Sequence, residues 1–392
     1  MATYKQYYQG FLADKNSTQH FACHSHHYWP DVTRQAMLEY WDDSARLVDA
    51  KWGMFFSEKL PMLQGFIANH LALSDPQQIA FAPNTHELLF RVLTTLDWNK
   101  SNTIVTTDSE FHSFNRQVDR LSELPQFNIV KVPVLPFTNF PERFAQTVLE
   151  HNPELVFFSH VFFNSGFAIP SLNELIAQFA HLDTIIMVDG YHGFMAVPTN
   201  LAGIEERVFY LAGAYKYAQA GEGACFMHVP KSELKRPIYT GWYAEFGELH
   251  AARSSHVKYS TDGNHYAGAT MDLTAAYRLL AVFKWLQAIK VSVLDIHVHV
   301  QQLQSHFLQL LAELNHPLLN KDALMLHDEQ HHGHFFTFAL ADDEITAKLG
   351  EYLKQYKVLT DWRGNRLRFG FALYQDSEDF DLSCLNHFSS QP

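Results

Sequence analysis

The chain has 392 residues, 47% hydrophobic and 18% charged, a balance that excludes disorder and allows one or two sizeable buried cores. A formal net charge of -13 without any basic cluster excludes a nucleic-acid backbone as partner and leaves small molecules as the expected ligands. No stretch reaches the roughly 18 consecutive apolar residues of a membrane span.

The N-terminal "MATYKQYYQGFLADKNS" lacks the apolar run of a secretion signal, and three cysteines without a paired or metal-ligand pattern fit a reducing compartment. A soluble, cytoplasmic protein without membrane partners is expected. "CHSHHYWP" groups Cys23, His24, His26 and His27, but zinc would need a second ligand group at matching spacing, so no metal is assigned. The 24 histidines predict a net charge that changes steeply just below neutral pH.

From residue 103 the rhythm is strand, then helix. The apolar runs 103–108, 155–163, 184–190 and 207–214 suit strands covered on both faces, and 113–124 and 171–182 read as helices. Ser171 with Glu174 three residues on forms a capping-box signature. No repeat or low-complexity linker interrupts the pattern. Repeated βα units imply an α/β fold with a largely parallel, doubly wound sheet. After about residue 265 a long amphipathic helix, "TAAYRLLAVFKWLQAI", precedes the strand candidates "HFFTFAL" and "RLRFGFAL". The expected organisation is an N-terminal segment 1–20, a large domain 21–265 and a small C-terminal α+β domain 266–392. The histidines of "HDEQHHGHFF" read as a solvated edge of the latter.

Ligands in such a sheet sit at the carboxyl ends of the strands. There the sequence places Asp108 and Glu110, Asn164-Ser165-Gly166, Asp189 with His192, and Lys216. Lys216 lies within "LAGAYKYAQAGEGACF", flanked by Tyr215 and Tyr217. A lysine among apolar groups is desolvated, which frees its amine as a nucleophile for a Schiff base; an isolated lysine there would merely snorkel from a strand end. An aspartate ending one apolar strand and a lysine ending the next are what pyridoxal phosphate requires, because the carboxylate keeps the pyridine nitrogen protonated.

With "VDGYH" and "YKYAQAGEG", the chain resembles fold-type I pyridoxal-phosphate enzymes of the class V aminotransferase superfamily, and within it kynureninase. The resemblance implies a mainly parallel seven-stranded sheet in the large domain, Lys216 as the cofactor-bearing residue, Asp189 as the pyridinium partner and His192 as a cofactor neighbour. Tyr215 becomes a phosphate or proton-relay group, and its place before the lysine favours the kynureninase branch. "APNTHELLF" looks like the phosphate cup, with Thr85, His86 and backbone N–H groups; Asn84 or Thr85 as a plain helix cap is the simpler reading. Ser165 joins the cofactor-binding set.

"DSEFHSFNRQ" resembles the segment that stacks a ring on the cofactor, through His112 or Phe111. Asn115 stands where kynureninases have Asp. "TGWYAEF" resembles a loop that closes on an aryl substrate, placing Trp242 near it, and His26 or His27 falls in a loop that enters the site. "AGAT" resembles the segment whose Thr270 reaches the neighbouring subunit's phosphate, hence a homodimer with shared active sites. "RLRFGFALYQD" is similar to the superfamily's Arg-x5-Tyr-Asn pattern, so Arg368, or else Arg366 or Arg363, would hold the α-carboxylate of an amino-acid substrate. The implied reaction is hydrolytic Cβ–Cγ cleavage. Its alternatives are transamination or β-elimination by the same cofactor, and a fold retained for binding without turnover. Cysteine desulfuration is disfavoured, since "KVLTDWRGNRLR" lacks the cysteine those relatives carry before the arginine.

Overall fold

A computed structural model describes residues 3–13, 15, 18–248, 255–327 and 331–388. Its strands are β1 (Gln19–His20), β2 (Ile79–Ala82), β3 (Asn102–Thr107), β4 (Phe127–Val132), β5 (Leu155–Ser159), β6 (Ile185–Asp189), β7 (Val208–Gly213), β8 (Cys225–His228), β9 (Phe335–Ala339), β10 (Val358–Leu359), β11 (Asp361–Arg363) and β12 (Arg366–Gly370). The helices are α1 (Gln9–Leu12), α2 (Val32–Leu47), α3 (Lys51–Met54), α4 (Leu60–Leu71), α5 (Thr85–Leu93), α6 (His112–Ser122), α7 (Phe140–His151), α8 (Leu172–Ala177), α9 (Thr274–Ala288), α10 (Val293–Leu314) and α11 (Asp343–Gln355). Among the described residues no helix is long and apolar enough to cross a membrane.

The main sheet has seven strands in the order β2-β8-β7-β6-β5-β3-β4. β8 runs antiparallel to both its neighbours, β2 and β7, whereas the pairs β7-β6, β6-β5, β5-β3 and β3-β4 are parallel. This is the mainly parallel α/β sheet the apolar runs predict. Residues of β5 are buried throughout, as expected of a strand covered on both faces.

Two elements stop earlier than their patterns. β5 ends at Ser159 instead of 163, because the chain folds back through a turn containing Gly166 at φ 81°, leaving a lone bridge between Val161 and Ala168. α8 ends at Ala177 because the following turns tighten: Gln178, Phe179 and Leu182 donate their N–H groups to residues three positions back. Ser171 caps α8 by accepting the Glu174 N–H at 3.1 Å.

A second, three-stranded antiparallel sheet has the order β11-β12-β9. It shares a hydrophobic cluster with α10 and α11 that includes Val300, Phe307, Phe336, Leu349 and Phe369. Phe21 joins that cluster as well, since the short β1 pairs in parallel with β10. The buried face of α9 (Ala275, Leu279, Val282, Phe283) packs instead into the large cluster under the main sheet, beside α2 and α4.

Candidate active site

The carboxyl ends of the parallel strands converge on one cleft of about 250 Å³, near the lower end for small-molecule sites. Its walls include Thr85 and His86 at the start of α5, Phe111 before α6, Ser159 ending β5, Asp189 ending β6, and Tyr215 and Lys216 after β7.

The turn after β7 buries the lysine. Gln219 donates its N–H to the Lys216 carbonyl and Ala220 to the Ala214 carbonyl, each at 2.9 Å. Gln219, Gly221 and Gly223 all adopt positive φ. At Gly221 a Cβ would sit 2.3 Å from the Trp29 ring, so a glycine is required there. From α9, Arg278 clamps the turn by donating to the Ala220 carbonyl at 2.6 Å and the Glu222 carbonyl at 2.5 Å.

Lys216 is only 5% exposed, and its Nζ lies 5.3–5.7 Å from the ring centres of Tyr191, Phe111 and Tyr215. Nζ contacts His192 Nε2. Burial pushes the amine well below the usual lysine range, with Asp189 opposing and Arg368 and Arg363 reinforcing the shift. Asp189 moves the other way: burial raises its carboxyl, while the Tyr191 N–H, donating to Oδ1 at 2.8 Å, and Lys216 hold it down. His192 is kept neutral by burial and by Lys216, and its Nδ1 is buried without a partner. Burial raises Tyr215 to about 12, so it remains a phenol.

Asn84 caps α5 by accepting the Glu87 N–H at 2.9 Å, and Thr85 and His86 of the first turn line the cleft. These features fit a flat aromatic aldehyde carrying a phosphate. An unpartnered buried imidazole nitrogen, an amine whose charge burial disfavours, a carboxyl at a strand end and a helix N-terminus surround one small space.

Other predicted residues fall as follows. Phe111 lines the cleft, whereas His112 opens α6 and bonds Arg363 Nη1 through Nε2 at 2.8 Å. Ser165 is buried in the turn after β5, its Oγ accepting the Phe167 N–H at 3.2 Å. Trp242 is 39% exposed and donates through Nε1 to Thr270 Oγ1 at 3.2 Å; neither lines the cleft. His26 is exposed, with its ring 6.4 Å from that of Tyr215.

Arg368 is 3% exposed, donating from Nη1 to the Phe163 carbonyl at 2.7 Å and from Nη2 to Asp361 Oδ2 at 2.6 Å, with Nε unpaired. Arg363 lies over the rings of Phe111 and Phe163 at 6.0 and 5.7 Å. Both arginines act electrostatically on Lys216; Arg366 does not figure there. His24 is buried against Phe335, both ring nitrogens unpartnered, and Nε2 is 3.7 Å from Asp361 Oδ2, too far for a hydrogen bond.

Four cleft residues are not singled out by the sequence reading: Tyr191, Phe163, Cys225 and Ser159. Tyr191 stands between two positions of the "VDGYH" motif and was legible there. Cys225 faces Gly213 across β7-β8, a pairing no local pattern announces.

The sequence profile of class-V aminotransferases matches residues 30–382. No curated protein sequence matches the chain. Among solved structures, the cystine C-S lyase C-DES in complex with its product cysteine persulfide is similar at 18% identity over 96% of this chain and 97% of that one, with a TM-score of 0.80. A lysine-to-alanine C-DES variant with glycine linked to its pyridoxal-phosphate cofactor superposes with a TM-score of 0.81 at 17% identity, covering 98% of each chain. The cysteine desulfurase CsdA from Escherichia coli is similar at 16% identity, with a TM-score of 0.76 over 97% of this chain and 96% of that one. The chain thus belongs to the class-V aminotransferase family of pyridoxal-phosphate-dependent enzymes, with their fold-type I architecture.

Proposed function

We propose that this protein is a pyridoxal-phosphate-dependent lyase that eliminates a sulfur-bearing β-substituent from an amino acid. The observation that carries the reading is the desulfurase-like frame without a reactive protein thiol. Cys225, at the cleft, has its thiol pushed up to about 12 by burial, Cys23 is fully buried and raised further, and Cys384 is raised as well. A thiolate that accepts sulfur from substrate needs the opposite shift. The similarity to a C-S lyase along the whole chain supports elimination. It favours that alternative over the hydrolytic Cβ–Cγ cleavage implied by the kynureninase resemblance.

Lys216 would hold the cofactor through a Schiff base, Asp189 its ring nitrogen, Phe111 its ring face, and the first turn of α5 with Thr85 its phosphate. When bound, the cofactor supplies an electron sink for the breaking Cα–H bond. Lys216 Nζ, which burial makes readier to shed its proton, takes the α-proton, and His192 Nε2 beside it steers that amine. Arg368 receives the α-carboxylate with the donors that Asp361 and Phe163 leave free. The Cβ–S bond then breaks, sulfur departs with its electron pair, and water releases the carbon skeleton as pyruvate and ammonia.

Kynureninase-like hydrolysis stays as a second reading because Tyr215, kept as a phenol, lies beside Lys216 as in that branch. Product analysis separates the two. Cystine or another S-substituted cysteine should yield pyruvate and ammonia in equal amounts; alanine and an aromatic acid from kynurenine, with no pyruvate from any sulfur substrate, would overturn the lyase reading.

The subunit arrangement we propose is a homodimer. Ile238, Tyr239, Trp242 and Val257 expose 39–79% of their surface along the segment that leads to Thr270, an apolar face that a second copy would cover.

A further inference from the structure

Glu110 has no part in the reaction outlined above, yet it is a buried carboxyl directly behind the cleft wall, 1% exposed. Thr107 Oγ1 donates to its Oε1 at 2.6 Å, and the Ser159 N–H donates to the same oxygen at 3.1 Å. Ser159 Oγ lies 2.5 Å from Oε2. One side chain therefore ties the end of β3 to the end of β5. Ser159 lines the cleft and is the register partner of Asp189 across β5-β6. The next residue, His160, donates its N–H to the Asp189 carbonyl at 2.8 Å.

We infer that Glu110 is a positioning residue of the cleft: a crosspiece that fixes the Ser159 hydroxyl and, through β5, the strand end that presents Asp189. This rests on the cofactor site proposed above.

The direction of the Ser159 hydroxyl depends on the proton of Glu110. Burial pushes that carboxyl up to about 8, against the Ser159 and Thr107 hydrogen bonds and with the charge of Asp189 adding to the rise. At neutral pH Glu110 keeps its proton, donates from Oε2 to Ser159 Oγ, and leaves the serine hydrogen free for the cleft. Ionised, it turns that hydrogen back on itself and sets a second negative charge near Asp189. Asp189 on β6 is the charged group that acts on it; Thr107 on β3 and Ser159 on β5 are neutral.

The test is a titration of pyridoxal phosphate into the wild-type protein, Glu110→Gln and Glu110→Ala, read as visible absorbance across about pH 6–9.5. Wild-type affinity should fall as pH passes about 8, and Glu110→Gln, neutral at every pH, should show no such step. Glu110→Ala should loosen binding about tenfold throughout, the cost of unpaired buried donors. A Gln variant that follows the wild-type curve, or an Ala variant that binds as well as the parent, overturns the inference. If Glu110→Ala does not fold, Ser159→Ala decides: it removes one bond that lowers the carboxyl's pKa, so the step should move to higher pH, and an unmoved step is the contrary result. Borohydride labelling of wild-type Lys216 reports on the cofactor site alone. Its failure removes both readings, whereas a labelled wild type with unresponsive variants removes only this one.

Discussion

Arg368 and Arg363 reach the site by different routes, and their substitutions should separate substrate capture from cofactor contact. Arg368 is buried, with two hydrogen-bonded donors and an unpaired Nε; Arg363 reaches over Phe111 and is bonded to His112. Arg368→Ala should leave cofactor absorbance intact and cost about 2–4 kcal/mol, roughly 30- to 1000-fold in kcat/KM, for loss of a charge-assisted carboxylate contact. Steady-state kinetics with Arg363→Ala in parallel checks the assignment, because an Arg368→Ala enzyme with parental kcat/KM would pass the role to Arg363. The Lys216 and Asp189 positions were legible because each polar residue ends an apolar strand run. The choice between His112 and Phe111 was not, since a one-residue shift at a helix start decides which ring faces the cleft. Phe111 is in extended conformation at the N-cap, and His112 is already helical, turned toward Arg363. Glu110 was visible as a strand-end acid, but its bond to Ser159 joins segments far apart in sequence.

The element that buries Lys216 is the turn from 214 to 223, and its glycines give a direct test. Gly221→Ala combines positive φ with a Cβ 2.3 Å from Trp29 Cζ2, so it should destabilise by about 2–4 kcal/mol and weaken cofactor retention together. Gly53→Ala in α3 meets nothing within 4 Å and should be neutral or stabilising by up to about 1 kcal/mol. Denaturant midpoints and cofactor off-rates of the two variants check the contrast; equal stability would show that the turn tolerates a side chain. The inner strands β5, β6 and β7 were legible as apolar runs because both their faces are covered, whereas the edge strand β4 keeps exposed polar positions and offers no such run. The pairing of β1 with β10, which draws Phe21 into the smaller sheet's cluster, depends on a meeting of distant segments that no period in the sequence encodes.

Across the whole molecule, buried histidine sets the acid limit. His20, His27 and His160 are lowered to about 3, 4 and 4, and His24, His192 and His334 further, each chiefly by burial. An unfolded histidine binds a proton below about pH 6.5, whereas these stay neutral in the fold, so the unfolded state holds more protons as pH drops. Their contribution is complete above that pH and declines below it by about 1.4 kcal/mol per pH unit for each histidine. Thermal melting of the apoprotein should therefore be flat from about pH 8 to 7 and fall steeply toward pH 5; a melting temperature unchanged at pH 5 would contradict that burial. A sedimentation measurement should find a dimer, and a stable monomer that binds cofactor fully would contradict the proposed subunit arrangement. The most direct test of the account concerns Lys216. Protein incubated with pyridoxal phosphate should turn yellow, bleach with borohydride and yield a single phosphopyridoxyl peptide modified at Lys216. A label on any other lysine, or none, would contradict it.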